Sequence, residues 1–123
     1  MGALAWMLSG CASWYGLREL DAVPADFPLT LGGEVGQVTV PEHGGQIAVD
    51  LAFDTAPEAR AAWEALRAQA HDRGFAEVST GTVGRRERAV LEGPEGRLEL
   101  GCCPQRADRA YLVFVSWWRP TTP

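Results

Sequence analysis

Two hydrophobic periods divide this chain. From Gln46 to Phe53, Ile47, Val49, Leu51 and Phe53 alternate with Ala48, Asp50 and Ala52. A period of two gives one buried and one wet face, which predicts a strand. A shorter strand over Val35 to Val40 precedes it. Glu42-His43-Gly44-Gly45 joins the two as a hairpin turn, with glycines for positive φ.

Beyond Phe53 the period lengthens to that of a helix. Ala59, Ala62, Trp63, Leu66 and Ala70 fall on one stripe, with Arg60, Glu64, Arg67 and Asp72 on the other side. Asp54 or Thr55 suits the N-cap, Pro57 the first turn, and Glu58 the positive end of the helix dipole. Glu64 lies one turn after Arg60, a pairing that supports the exposed side slightly. Gly74 stops the helix at C′.

Four strands follow, over Phe75 to Val83, Arg88 to Glu92, Arg97 to Cys102 and Ala110 to Trp118. Gly84 centres one turn and Gly93-Pro94-Glu95-Gly96 forms another. Leu98, Leu100 and Cys102 share a face. The last strand is apolar on both faces, which predicts a central position. The expected fold is α+β: an antiparallel sheet of about six strands, order ββαββββ, with one helix packed on one face.

The first third lacks such periods. Pro24 and Pro28 interrupt regular structure, and Gly32-Gly33 loosens the end of the segment. Residues 11–33 therefore read as a tether and 34–120 as a single α+β domain. Trp14, Tyr15 and Leu17 either meet a membrane interface or pack on the domain.

The segment before the tether carries the clearest motif. Met1 to Leu8 is an apolar run, followed by Leu8-Ser9-Gly10-Cys11. This resembles the lipobox of bacterial lipoprotein precursors, which implies that Cys11 takes the lipid and becomes the first mature residue. Residues 1–10 read as a truncated lipoprotein signal peptide, since no charge precedes Arg18. The run is shorter than the roughly 20 residues that span a bilayer, so the expected anchor is the lipid itself. In lipoproteins of this kind the residue after the lipidated Cys influences sorting. Here it is Ala12, which implies the outer membrane, facing the periplasm.

Composition narrows the partners. A net charge of −5 disfavours nucleic acid, which needs a clustered basic surface, and anionic headgroups as well. No cofactor or metal is expected. His43 falls in a turn and His71 near the helix end, and neither converges with the cysteines in a ligand spacing. Ser79, Ser116 and Cys103 lack a Gly-x-Ser-x-Gly elbow, and no glycine-rich turn matches a phosphate-binding fingerprint. These absences argue against an enzyme.

Cys102 and Cys103 leave three states open: two free thiols, a disulfide between neighbours, or pairing to another chain. Adjacent strand residues point to opposite faces, which works against the disulfide. Tyr111, Trp117 and Trp118 form a candidate partner surface, because aromatics bury much area with few rotors. Adjacent tryptophans on a strand face opposite ways. Either both are covered or one is displayed.

Val23-Pro24-Ala25-Asp26-Phe27-Pro28-Leu29 resembles an entry motif, Pro-x-Asp-Phe-Pro-Leu-Pro, of small bacterial envelope lipoproteins, with Thr30 in place of the last Pro. Gly32-Gly33-Glu34-Val35 resembles the Pro-Gly-Ala-x-Val that follows there, and Arg73-Gly74-Phe75 their Gly-Trp step. The resemblance spans residues 23–118 and implies location and fold, with no catalytic residues. The reading is a lipid-anchored envelope protein acting as a binding or scaffolding module, held to the membrane through Cys11, with another envelope protein or a small ligand held against the sheet as its partner. The alternatives are a cytosolic interaction domain without lipid and a small periplasmic redox protein or enzyme using Cys102 or Cys103.

Overall fold

The structure is a computed structural model that describes residues 17–20, 22–32, 34–41 and 45–120. The lipobox, Trp14, Tyr15 and His43 lie outside the described residues. Seven strands form one antiparallel sheet: β1 (Leu17–Leu20), β2 (Glu34–Pro41), β3 (Gln46–Phe53), β4 (Ala76–Val83), β5 (Arg86–Gly93), β6 (Gly96–Gln105) and β7 (Tyr111–Trp118). Helix α1 (Ala56–Asp72) lies between β3 and β4 in the chain. Across the sheet the order is β1-β2-β3-β7-β6-β5-β4. The ββαββββ order is present, β7 is central, and a short strand, β1, is added at one edge.

Thr55 caps α1, its Oγ1 accepting a bond from the Glu58 N–H. Pro57 and Glu58 occupy the first turn. At the other end Gly74 adopts φ +95°, and its N–H donates to the His71 carbonyl while that of Phe75 donates to Ala70. These are the paired bonds of a Schellman motif, in which a left-handed glycine satisfies the last carbonyls.

The helix buries Ala59, Trp63, Leu66 and Ala70 in one core cluster with residues from one sheet face. Register lines that face up in rows across the strands. Val49, Val115, Leu100 and Ala89 form one row, and Ile47, Trp117, Leu98 and Leu91 another. All eight belong to the core. The exposed side of the helix is tied to the sheet by ion pairs. Arg60 grips Glu87 with two bonds of 2.9 and 3.0 Å, and Arg67 meets Glu77 at 2.6 Å. Arg60 thus pairs across to the sheet, while Glu64 contributes only a longer-range field at that guanidinium.

The described part of the segment expected as a tether is docked. Leu17–Leu20 pairs with β2, and Phe27, Pro28 and Leu29 are buried. Phe27 meets Trp117 edge to face, with ring centroids 5.6 Å apart. The Gln69 amide donates to the Thr30 carbonyl at 3.0 Å and accepts from the Thr30 N–H. The prolines do break regular structure here, but irregular backbone still delivers Phe27 and Leu29 to the core, and one glutamine satisfies the polar groups it brings.

Candidate functional site

The sheet has a second face, opposite α1, built from the alternate residues of the same strands. In register, one outer row runs Asp50, Phe114, Gly101 and Arg88. The next runs Ala48, Ser116, Glu99 and Val90, and the third Gln46, Trp118, Arg97 and Glu92. Both α1 and the docked 22–32 segment join the inner-face core instead. The outer face is less apolar, and aromatic and guanidinium groups alternate on it.

Arg86 lies over the Phe114 ring at 5.2 Å, and Arg97 over Trp118 at 5.4 Å. Gly101 makes the first stack reachable: a Cβ there would sit 3.1 Å from Arg86 Cδ, so glycine leaves the floor open for the arginine stem. Arg86, Arg88, Glu99, Gly101, Phe114 and Ser116 line a cavity of about 160 Å³. Inside it Arg88 Nε lies 2.6 Å from Glu99 Oε1. The contact is off the N–H axis, so it is an ion pair rather than a directed hydrogen bond. Among the described residues neither Arg86 nor Arg97 is within ion-pair distance of a carboxylate, although Glu92 stands opposite Arg97 in register. Asp50, on the same face, has its carboxyl pushed up by burial, with Arg106 opposing the shift.

The arrangement therefore offers flat apolar surface beside guanidinium donors. Such surface suits a ligand that stacks on rings and also brings a carboxylate or another anionic acceptor.

The three expected partner-surface aromatics separate. Trp118 belongs to the outer face and is half-buried. Trp117 is 3% exposed and part of the core, so it is no partner surface. Its Nε1 donates to the Glu95 carbonyl at 2.8 Å, and Arg119 lies over its ring at 4.9 Å. The reason is register: Trp117 stands in the Ile47–Leu98 row beneath Phe27, whereas Trp118 stands between Gln46 and Arg97. Tyr111 shares the inner parity and packs at the margin of the core beside Phe53. Arg86, Arg97 and Phe114 were not anticipated. Phe114 lies on a strand that reads as apolar on both faces, and the arginine over it depends on pairings between distant segments.

Cys102 is fully buried beside Val113, and Cys103 is partly buried against the core. Their two sulfur atoms lie side by side. The β6–β7 ladder loses register between Cys102 and Gln105, so strict alternation of faces ends at Cys102.

A more polar hollow of about 380 Å³ lies at the β3 and β7 end, lined by Phe53, Asp54, Arg106, Asp108 and Arg109 among others. Arg106 is bound there to Asp108 at 2.6 and 2.9 Å. That pairing, reinforced by the Ala110 N–H, holds the Asp108 carboxyl down at about 2. Among the described residues no group of His, Cys, Asp and Glu is arranged to hold a metal, and no helix is long and apolar enough to cross a membrane.

The chain matches no protein-family model, no curated protein and no solved structure among those compared with it.

Proposed function

We propose that this protein is a lipid-anchored envelope protein that works by binding, with the outer sheet face as its contact surface. The observation that carries the reading is the pair of arginine-on-ring stacks, Arg86 on Phe114 and Arg97 on Trp118, flanking a cleft on a face that α1 leaves aside. Among the described residues neither guanidinium has a bound carboxylate. The complementary partner is a segment of another envelope protein that brings acidic side chains next to apolar ones. The Leu8-Ser9-Gly10-Cys11 motif supports the anchor, with the acyl chains of Cys11 contributing about 0.8 kcal/mol per buried methylene. Ala12 supports the outer membrane as destination, with the domain in the periplasm.

Two measurements test the two halves. Intact mass of membrane-extracted protein is expected to fit a diacylated or triacylated chain beginning at Cys11. An unmodified full-length chain refutes the anchor. For the surface, a photo-crosslinking residue at Ser116 is expected to capture an envelope protein in cells, with capture lost on Arg86→Glu or Trp118→Ala. Capture no greater than from the same residue at exposed Ala25 refutes the outer face as the contact surface.

A further inference from the structure

Strand β4 closes one side of the sheet, and all eight of its residues are exposed. Val78 and Val83 are 56% and 52% exposed. An edge strand offers a row of backbone donors and acceptors. Natural proteins blunt such edges with Lys, Pro, shortness or a covering element. β4 has none of these. Its single charge, Glu77, sits near one end and is held by Arg67, and its bulge is confined to Glu77–Ser79. Ser79 to Val83 remains a regular, uncharged run.

The turn into β5 tells which backbone groups are on offer. Val83 pairs with Arg86 across the two-residue loop Gly84-Arg85, with Gly84 at φ +64°. In such a hairpin the closing pair exchanges both hydrogen bonds. Alternation then directs the N–H and C=O of Thr80 and Thr82 away from β5, and those of Gly81 toward it.

We propose that β4 pairs antiparallel with β4 of a second copy of this chain, about a twofold axis at Gly81. Gly81 then faces Gly81 of the second copy, Thr80 faces its Thr82, and Ser79 faces its Val83. The axis is normal to the sheet, so helix-side residues stay on the helix side and the outer faces of both copies become continuous. No like charges meet. Arg85, which has no ion pair among the described residues, comes beside Glu77 of the second copy. A twofold at Thr80 would instead set Val83 against Glu77 and lose this pairing. The inference stands apart from the outer-face reading and survives its failure.

Light scattering on the eluting full chain, in detergent, is expected to give the mass of two chains. The Gly81 contact is a pair without mutual hydrogen bonds, with Cα atoms about 4.5 Å apart, inside the disulfide span of about 4.4–6.8 Å. A Cβ at Gly81 meets nothing within 4 Å, so Gly81→Cys leaves the fold intact. Oxidation of that variant is expected to yield a covalent dimer well above the yield of Ala25→Cys. Arg85→Glu, which brings like charges together, is expected to weaken the dimer about tenfold. A monomer at every concentration, or no preferential link through position 81, overturns the proposal. A dimer unchanged by Arg85→Glu overturns the register.

Discussion

Asp26 and Arg119, 93 positions apart, are joined by two hydrogen bonds of 3.1 and 3.2 Å. Through them the docked N-terminal segment is tied to the residue that follows β7. The same guanidinium lies over Trp117, which packs edge to face with Phe27. One arginine thus holds the segment in place from the surface side, while the two rings hold it from the core side.

The two layers differ in strength, and mutation separates them. Phe27 is buried, and truncating a buried phenylalanine costs about 3–5 kcal/mol. The Asp26–Arg119 pair is largely exposed, and such pairs contribute about 0–1 kcal/mol. Urea unfolding is therefore expected to show Phe27→Ala destabilised severalfold more than Asp26→Asn. Equal losses would mean that the ion pair, not the ring, holds the segment.

How much of this was legible depended on whether an interaction leaves a period. The alternation at Ile47 to Phe53 and the stripe from Ala59 to Ala70 reflect one-sided burial, and both elements are present where those patterns put them. The two-sided apolarity of β7 marked it as central. Leu17–Leu20 carries no such mark: four residues reading Leu-Arg-Glu-Leu are too short to display a period. The docking of Phe27 and Leu29 is invisible for the same reason, since irregular backbone has none. At the site, alternation says that Trp117 and Trp118 face opposite ways. Which one enters the core is decided by pairing with Ile47 and Leu98, and parity with Val113 and Val115 was the available signal. The stacking of Arg86 on Phe114 joins β5 to β7 through an intervening strand, and no local pattern encodes it.

Trp63 poses a different question. It is 4% exposed and lies between Arg67 at 4.6 Å and Arg60 at 5.8 Å, yet its Nε1 has no hydrogen-bond partner. A buried unsatisfied donor costs about 1–3 kcal/mol, which offsets part of what the ring area contributes. Trp63→Phe removes the orphan donor and keeps an aromatic face for both guanidiniums. Its expected cost in thermal or urea unfolding is below about 1.5 kcal/mol, against about 3–5 kcal/mol for Trp63→Ala. A Phe variant as damaged as the Ala variant would show that the indole nitrogen is satisfied in solution.

Glycines of one type differ sharply in tolerance. A Cβ on Gly93 would lie 2.8 Å from the Gly74 carbonyl oxygen and 3.1 Å from Phe75 Cα, all backbone of the helix exit. Neither group yields without disturbing the Schellman motif, so Gly93→Ala is expected to cost about 1–3 kcal/mol as overpacking. Gly32, with nothing within 4 Å, is expected to accept Ala within about 0.5 kcal/mol. Melting temperatures of the two variants check the contrast.

Acid separates the carboxylates by their surroundings. Asp108 is held down to about 2, first by its bond to Arg106. Asp26 is lowered by its bond to Arg119, and Glu87 by its bond to Arg60. For each of these the folded value lies below the unfolded one. Their contribution to stability is therefore complete above the ordinary carboxylate range and is lost as pH falls through the folded value. Asp50 runs the other way. Burial raises its folded value, so its ionised form opposes folding at neutral pH, and protonation relieves that cost as pH falls. Carboxyl-carbon NMR titration is expected to place Asp50 above 3.8 and Asp108 near 2, with Asp26 and Glu87 below their ordinary values. Asp50→Asn, which removes the costly charge, is expected to stabilise the protein at pH 7 and to change little once Asp50 is protonated. An Asp50 that titrates at or below its ordinary value would place that carboxylate in open solvent.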